Sequence, residues 1–469
     1  MLRTVPARQQ SPTPFRQARG IIAKESGCRE KCIPRRFRVK MSLEELVITG
    51  DHGMQLKTIL NRVEPFKSFV YQQARFVEAA DGCQIEVTLV PRANGRPRCS
   101  GCGRVAPGYD RLPARRFAFV PLWAIPMFFI YAMRRVNCPR CGVVAERVPW
   151  CDGKCHLTHS YRWFLARWAR RLSWQEVAEV FRTSWDSVFR SVKHAVFWGL
   201  VHRDVAGVEA IGVDEIQCRR GHHYLTLVYQ IDEGCRRLLW IGRARTAECL
   251  QEFFDWLGEG TATLRYVASD MWRAYLEVVR QRAGHAIHLL DRFHIMKKMN
   301  EAIDAVRREE AQRLVRDGYE PILKHSRWCL LKRRENLTDR QTLKLSELLK
   351  YNLQAVRSHL LREDFQRFWQ YTSATWAGKF LDQWCVRAMR SKIGPMKKVA
   401  ATLRRHRELL LNWFHARGMI SSGVVEGFNT TAKLTSRKSY GFRNTKILEI
   451  ALYHNLASLP EPKFTHEFC

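Results

Sequence analysis

At 469 residues, with 46% hydrophobic side chains and 15 Trp, the chain is long enough for about three domains with real cores. Lys and Arg number 79 against 45 Asp and Glu, giving a formal net charge of +34. An excess this large is the footprint of a polyanion binder, and the apolar content argues against a chain that merely coats RNA or a membrane surface.

Residues 1–40 open MLRTVPARQQSPTPFRQARG, rich in Pro and Arg and lacking the apolar core of a signal peptide. They read as a disordered basic extension, and the start codon is either Met1 or Met41. Fifteen Cys in a long chain of this kind, an odd count, fit reduced thiols and metal ligands of a cytoplasmic, nucleoid-associated protein better than a disulfide framework. An amino-terminal segment occupies residues 41–90.

Residues 91–150 predict a zinc ribbon. Cys99 and Cys102 stand in CSGC, Cys138 and Cys141 in CPRC, and two such knuckles aim four thiolates at one point. Gly101, Gly103, Pro139 and Gly142 supply the turns. Between the knuckles, residues 117–133 read FAFVPLWAIPMFFIYAM, which imitates a membrane span, but Pro121 and Pro126 would break such a helix twice. Two strands fit better, and no membrane contact is expected. The nearby Cys151, Cys155, His156 and His159 match no closed-site spacing, so chance proximity is the preferred reading.

Residues 156–205 predict a helix-turn-helix. Ser173 and Glu176 form a capping box, the turn RTS follows, and Trp185, Val188, Phe189 and Val192 recur at helical spacing. Arg190 and Lys193 lie on the other side of that second helix as candidate DNA contacts. An ordinary helical hairpin is nearly as good a reading from these residues alone.

Residues 206–299 run strand, strand, strand, helix, strand, helix, strand. The first strand, in AIGVDEIQC, ends on Asp214 and Glu215; the fourth, in RYVASD, ends on Asp270. That order is the layout of an α/β ribonuclease-H-like core, in which the first and fourth strands are neighbours and their acids meet. Two carboxylates so placed call for a hard cation such as Mg²⁺. A two-metal site needs a third carboxylate from a helix across the sheet. Its candidate is Glu426, which shares a helical face with Asn429 and Lys433 and is followed by Arg437, Lys438 and Arg443. The interval 300–415 carries periodic Leu, Val and Trp and reads as an all-helical insertion, with Lys332, Arg333 and Arg334 on a charged face. Residues 416–469 return to the core.

GVDE at 212–215, VASD at 267–270, VVEGFNTTAK at 424–433 and YGFRN at 440–444 together resemble a DDE transposase of the ISL-three-type insertion-sequence family. The likeness covers roughly residues 41–459, zinc ribbon and helix-turn-helix included. It implies Asp214, Asp270 and Glu426 as catalytic and Mg²⁺-binding acids, with Glu215 turned to the opposite side of its strand. It makes Asp291 and His294, in DRFH, candidate site-shaping residues beside Asn429 and Lys433. It implies two Mg²⁺ (or Mn²⁺) ions, one activating a water and one stabilising the departing 3′ oxygen, with the freed 3′-hydroxyl then attacking target DNA. The expected partners are double-stranded DNA, at element ends and target, and a second copy of the chain in a homo-oligomer, a dimer. Two other readings stay open: a non-catalytic DNA-binding regulator derived from a transposase, and a ribonuclease-H-like junction nuclease.

Overall fold

The computed structural model describes residues 55–463 apart from 81, 220, 222, 417–422, 439–441 and 443. The basic extension 1–40 and Arg443 therefore lie outside the described residues, as does the Lys438 side chain.

After a short helix, α1 (Leu56–Val63), five strands form one sheet: β1 (Phe69–Ala79), β2 (Gly82–Pro91), β3 (Gly108–Leu122), β4 (Ile125–Cys138) and β5 (Gly142–Ala145). Their order is β1-β2-β4-β3, with β5 added to β4. The apolar stretch 117–133 is the β3–β4 hairpin. Its turn falls between the two prolines, at Trp123 and Ala124, with φ of 50° and 63°. Positive φ at both central residues matches the right-handed twist of the strands they join. Alternate β4 side chains, Met127, Phe129, Tyr131 and Met133, are buried against Phe66, Phe69 and Trp150. The period of two explains a long apolar run that crosses no membrane. Among the described residues, no helix is long and apolar enough to do so. Residues 69–91 extend the sheet that carries the cysteines, an addition the sequence reading did not contain.

Three helices follow: α2 (His159–Arg171), α3 (Trp174–Val180) and α4 (Trp185–His202). The capping box at the start of α3 is formed in both directions, Ser173 taking the Glu176 amide and Glu176 taking the Ser173 amide. Arg190 and Lys193 are exposed on α4. Arg190 pairs with Asp186 one turn back at 2.8 Å, and Lys193 lies over the Phe197 ring. Val188 and Val192 point the other way, into a core they share with Leu227 and Leu452 of the next unit. The helices are thus fixed to the second sheet and do not hang on a linker.

That sheet contains β6 (Ala210–Arg219), β7 (His223–Asp232), β8 (Cys235–Gly242), β9 (Tyr266–Ser269) and β10 (Ile287–Leu290), in the order β10-β9-β6-β7-β8. β6, β7 and β8 form an antiparallel meander, while β9 runs parallel to both β6 and β10. Helices α5 (Ala247–Leu257) and α6 (Arg273–Arg282) cover one face, against Ile211 and Val213.

The interval after β10 is helical as read: α7 (Arg292–Arg316), α8 (Arg327–Leu331), α9 (Asp339–Leu348), α10 (Gln354–Phe365), α11 (Ala374–Arg390), α12 (Gly394–Arg405) and α13 (Arg407–His415). It has its own core, with Phe365 and Trp384 fully buried and the Trp384 indole donating to the Leu361 carbonyl at 2.8 Å. The guanidinium of Arg362, 2% exposed, pins the carbonyls of Leu331 and Lys332 and so fixes the start of the basic 332–334 segment. The chain then returns to the sheet as α14 (Gly423–Lys438) and α15 (Thr445–Leu456), which cover the face opposite α5 and α6.

Candidate active site

Strand register decides which acids meet. Gly212 of β6 pairs with Ala268 of β9, so Asp214 and Asp270 each follow two residues beyond the same rung. Both strands run in the same direction. β9 stops at Ser269, just before Asp270, whereas β6 runs on to Arg219 and pairs Asp214 with Leu227 of β7, so Asp214 lies in mid-strand and not at the strand end read from the sequence. Asp214 belongs to the alternating set of β6 that faces α14, and Glu215 to the set that faces α6.

Helix α14 can approach β6 because residue 212 is glycine. A Cβ there would overlap a methyl group of Val425. The close approach brings the Asn429 amide onto the Asp214 carboxylate, where its nitrogen donates to Oδ2. The Asn429 oxygen accepts from the Tyr229 hydroxyl at 3.0 Å, and Tyr229 stacks on Phe428 with ring centroids 4.7 Å apart. The Glu215 backbone amide donates to the other Asp214 oxygen at 2.7 Å. Asp214 is thus held on both oxygens. Burial raises its pKa, and Asp291 and Asp270 add to the rise, against the opposing His294 and Glu215 amide.

Asp291 caps α7 through the Phe293 amide at 2.8 Å, and its second oxygen meets His294 Nδ1 at 2.8 Å. Burial alone would lower the His294 pKa. The carboxylates of Asp291, Asp214 and Asp270 outweigh it and raise the value. The two residues singled out in DRFH therefore sit within the electrostatic reach of both Asp214 and Asp270.

Glu215 is not remote from this group. Its Oε1 accepts from Arg245 Nε at 3.2 Å, and the same guanidinium donates through Nη2 to Asp270 Oδ2 at 3.2 Å. Asp270 Oδ1 takes the Trp272 amide at 2.8 Å. Burial first, then the charge of Asp270, pushes the Glu215 carboxyl up to about 7, against the pull of Arg245. Glu215 does face away from Asp214 across the strand, as alternation requires, but it stands on the Asp270 side of the site.

Glu426 lies one turn before Asn429 on α14 and is exposed, whereas the buried face of that helix is Val425, Asn429 and Ala432; among the described residues Glu426 is not gathered into one cluster with Asp214 and Asp270. Among the described residues it makes no ion pair. Lys433 and Arg437 are also exposed, farther along the same helix. Arg437 helps line a hollow of about 670 Å³ that α14 and α15 share with α2 and α3, where Trp174 packs on Phe442 with ring centroids 5.8 Å apart. Arg245 and Tyr229 had no signal in the sequence, because each acts through a partner that only the folded sheet supplies; Gly212 stood in the GVDE motif, but its packing role did not show there.

The four cysteines of the first sheet come together as read. Their sulfur atoms all lie within 4.8 Å of one another, and among the described residues no other group of three or more His, Cys, Asp or Glu does so. Gly103 and Gly142 hold φ of 71° and 72°, the left-handed turns that let each knuckle close. Backbone amides of Arg140 and Cys141 draw the Cys138 thiol down to about 7, whereas sulfur neighbours push Cys141 up to about 12. That is the donor chemistry of a tetrahedral zinc site, whose cation resolves the conflict among crowded thiolates. Among the described residues, Cys151, Cys155, His156 and His159 form no comparable group.

Paired acids on neighbouring strands, with a helix carrying Lys433 and Arg437 alongside, are the kind of arrangement that suits a hard cation and a phosphate ester. The match to known proteins is more particular. The ISL3-type DDE family model, described as "Transposase", matches residues 211–452, which takes in Asp214, Asp270 and Glu426. The transposase for insertion sequence element IS1001 of Bordetella parapertussis is 30% identical over 350 residues, 74% of this chain and 85% of that one. The transposase for IS1557 of Mycobacterium tuberculosis is 30% identical over 411 residues, 81% of this chain and 91% of that one. A solved structure, the Drosophila P element transposase strand transfer complex, shares 11% identity at a TM-score of 0.37, covering 63% of this chain and 90% of that one. The chain belongs to the ISL3 family of DDE transposases.

Proposed function

We propose that Asp214, Asp270 and Glu426 carry the phosphoryl transfer of this transposase, on a ribonuclease-H-like core that the helices α7–α13 interrupt. As a DDE transposase the protein is an enzyme that cuts and joins insertion-sequence DNA, and divalent metal follows from the family. The observation that carries the residue assignment is the shared rung of Gly212 and Ala268, which sets Asp214 and Asp270 two residues beyond the same point on neighbouring strands, with α14 over Asp214. A meander of three strands followed by two parallel ones supports the fold assignment.

The donor set fits a hard cation: carboxylate oxygens from two neighbouring strands, with Asp214 raised by burial first and then by Asp291 and Asp270. Mg²⁺ bound there would supply an acidified water and charge stabilisation for the leaving oxygen. The protein's own groups do the rest. Asn429 fixes the rotamer of Asp214. Asp291 orients His294 and, with Asp214 and Asp270, favours its protonated form, whose ring can meet a phosphate oxygen. Lys433 and Arg437 extend positive charge along α14 for the backbone of the bound strand.

Residues 156–205, as a helix-turn-helix, and residues 91–150, as a zinc ribbon, supply recognition of the terminal repeats, with Arg190 and Lys193 on the exposed side of α4. Their shared core with the second sheet sets the distance from reading helix to cutting site. The test is excision of an element carrying its own inverted repeats. Asp214→Asn and Asp270→Asn should each abolish cleavage while binding to end DNA persists. Cleavage by either variant at the unmodified rate would sink the assignment.

A further inference from the structure

Arg245 stands where neither the motif set nor the family likeness places a functional residue. It follows β8, in GRAR, and its guanidinium joins Glu215 to Asp270 with two bonds of 3.2 Å. The same group lies over the Trp272 ring at 5.1 Å and near Tyr224 at 5.9 Å, which holds its plane against the site edge. Its side chain is 36% exposed, whereas those of Glu215 and Asp270 are 8% and 14% exposed. A cation with one side in water therefore occupies an Asp270 oxygen that a metal ion would also need, and is held there by Glu215.

On its solvent side Arg245 lines a hollow of about 640 Å³ together with Arg219, His223, Tyr224, Arg243 and Thr246. Arg243 is committed to Glu449 by two bonds, at 2.7 and 3.0 Å. The basic lining suits an anion, and the guanidinium fork suits a phosphate as well as it suits a carboxylate.

We propose that this hollow is a seat for a DNA phosphate next to the metal-binding acids, and that Arg245 exchanges Glu215 and Asp270 for that phosphate. Before DNA arrives, Arg245 neutralises the two acids and competes with the metal. Once DNA is seated, the guanidinium follows the phosphate and leaves the Asp270 oxygen to the incoming cation. The inference rests on Asp270 being a metal ligand. It adds an ordering device that weakens metal binding in the absence of substrate.

Arg245→Gln tests it, because glutamine keeps a polar stem beside Trp272 and removes the charge; Arg245→Lys restores the charge without the fork. Mn²⁺ binding to the DNA-free protein, read by the loss of the free-ion paramagnetic resonance signal, should be about tenfold tighter in Arg245→Gln than in the unmodified protein. Arg245→Lys should lie between them. At saturating Mn²⁺, cleavage of a DNA carrying the element's own inverted repeats should nevertheless fall at least tenfold in Arg245→Gln, since a phosphate ligand is gone. Unchanged or weaker Mn²⁺ binding in Arg245→Gln overturns the proposal, and so does tighter binding with undiminished cleavage. Asp270→Asn separates the two layers. If it binds Mn²⁺ as the unmodified protein does, the site assignment itself falls; if it loses Mn²⁺ while Arg245→Gln gains none, only the role of Arg245 falls.

Discussion

Gly212 and Val425 touch so closely that no other residue type could stand at position 212 without displacing the Val425 side chain or the helix that carries it. The glycine of the GVDE motif is therefore a packing requirement for the third side of the site. It lets the helix that bears Glu426 and Asn429 lie directly on the strand that bears Asp214.

Gly212→Ala should accordingly harm catalysis more than its single methyl group suggests. Overpacking of this kind costs about 1–3 kcal/mol, and relief here means displacing the Val425 side chain or lifting α14 from β6. The Asn429 bond to Asp214 would lengthen or break. The expected outcome is a lower melting temperature and a cleavage rate reduced by more than tenfold, with binding to end DNA retained. Val425→Ala in the same chain should recover part of both losses. Failure of that second change to help would show that the contact does not position the helix.

The cysteine centre gives a prediction independent of the acids. Purified protein should release about one equivalent of Zn²⁺ when its thiols are modified. Cys138→Ser should abolish the stoichiometric metal and weaken recognition of end DNA, since β4 and β5 both terminate on that knuckle. Metal-free protein that still binds ends with full specificity would remove the centre from the mechanism.

What the sequence disclosed and what it withheld divide along physical lines. Asp214 and Asp270 were legible because each follows an apolar run and the strand order puts those runs side by side; the end of the first strand was misread, since polar residues from Gln217 to Arg219 still pair with β7 and leave Asp214 in mid-strand. The cysteine knuckles were legible because their ligands are near in sequence. The partnership of β2 with β4 was not, because alternation fixes which face of a strand is buried but not which strand lies beside it. Arg245 was invisible for a related reason. In an interval dense with arginines, nothing local distinguishes the one whose partners, Glu215 and Asp270, come from two other strands. The position of Glu215 shows how far alternation carries: it gave the correct side of β6 but not the neighbour waiting there.

Buried histidines set an acid limit on the fold. Burial, with Arg162 nearby, draws His194 down to about 4, and burial, with Arg170 nearby, draws His454 down to about 3. Both values lie below the ordinary histidine value of 6.5, so the unfolded chain takes up these protons first as the pH falls. Their contribution to stability is complete above about pH 6.5 and is lost progressively from there towards pH 4. The melting temperature should fall by several degrees between pH 7 and pH 5, and His194→Gln should flatten part of that slope. A melting temperature independent of pH across this window would contradict the neutral, buried state of both rings.

The sharpest prediction separates Glu426 from Glu215. Glu426 is exposed on α14, one turn from the Asn429 that grips Asp214, and it has no ion pair among the described residues. It is free to turn towards a cation. Glu215 is already engaged, on the far side of its strand, by Arg245. If Glu426 is the third metal ligand, Glu426→Gln keeps its size and removes the charge that holds an ion. Cleavage at the element end should fall by several orders of magnitude, because metal-stabilised charge contributes several kcal/mol to such a transition state. Binding to end DNA should survive, since it rests on the amino-terminal helices and the basic surface, and Mn²⁺ in place of Mg²⁺ should restore a little activity. Glu215→Gln removes one of the two partners of Arg245 but no ligand, so its loss should stay near tenfold. Parallel cleavage assays on the two variants decide the matter. Full activity in Glu426→Gln, alongside a loss of several orders in Glu215→Gln, would mean that strand β6 supplies two of the three acids and α14 none.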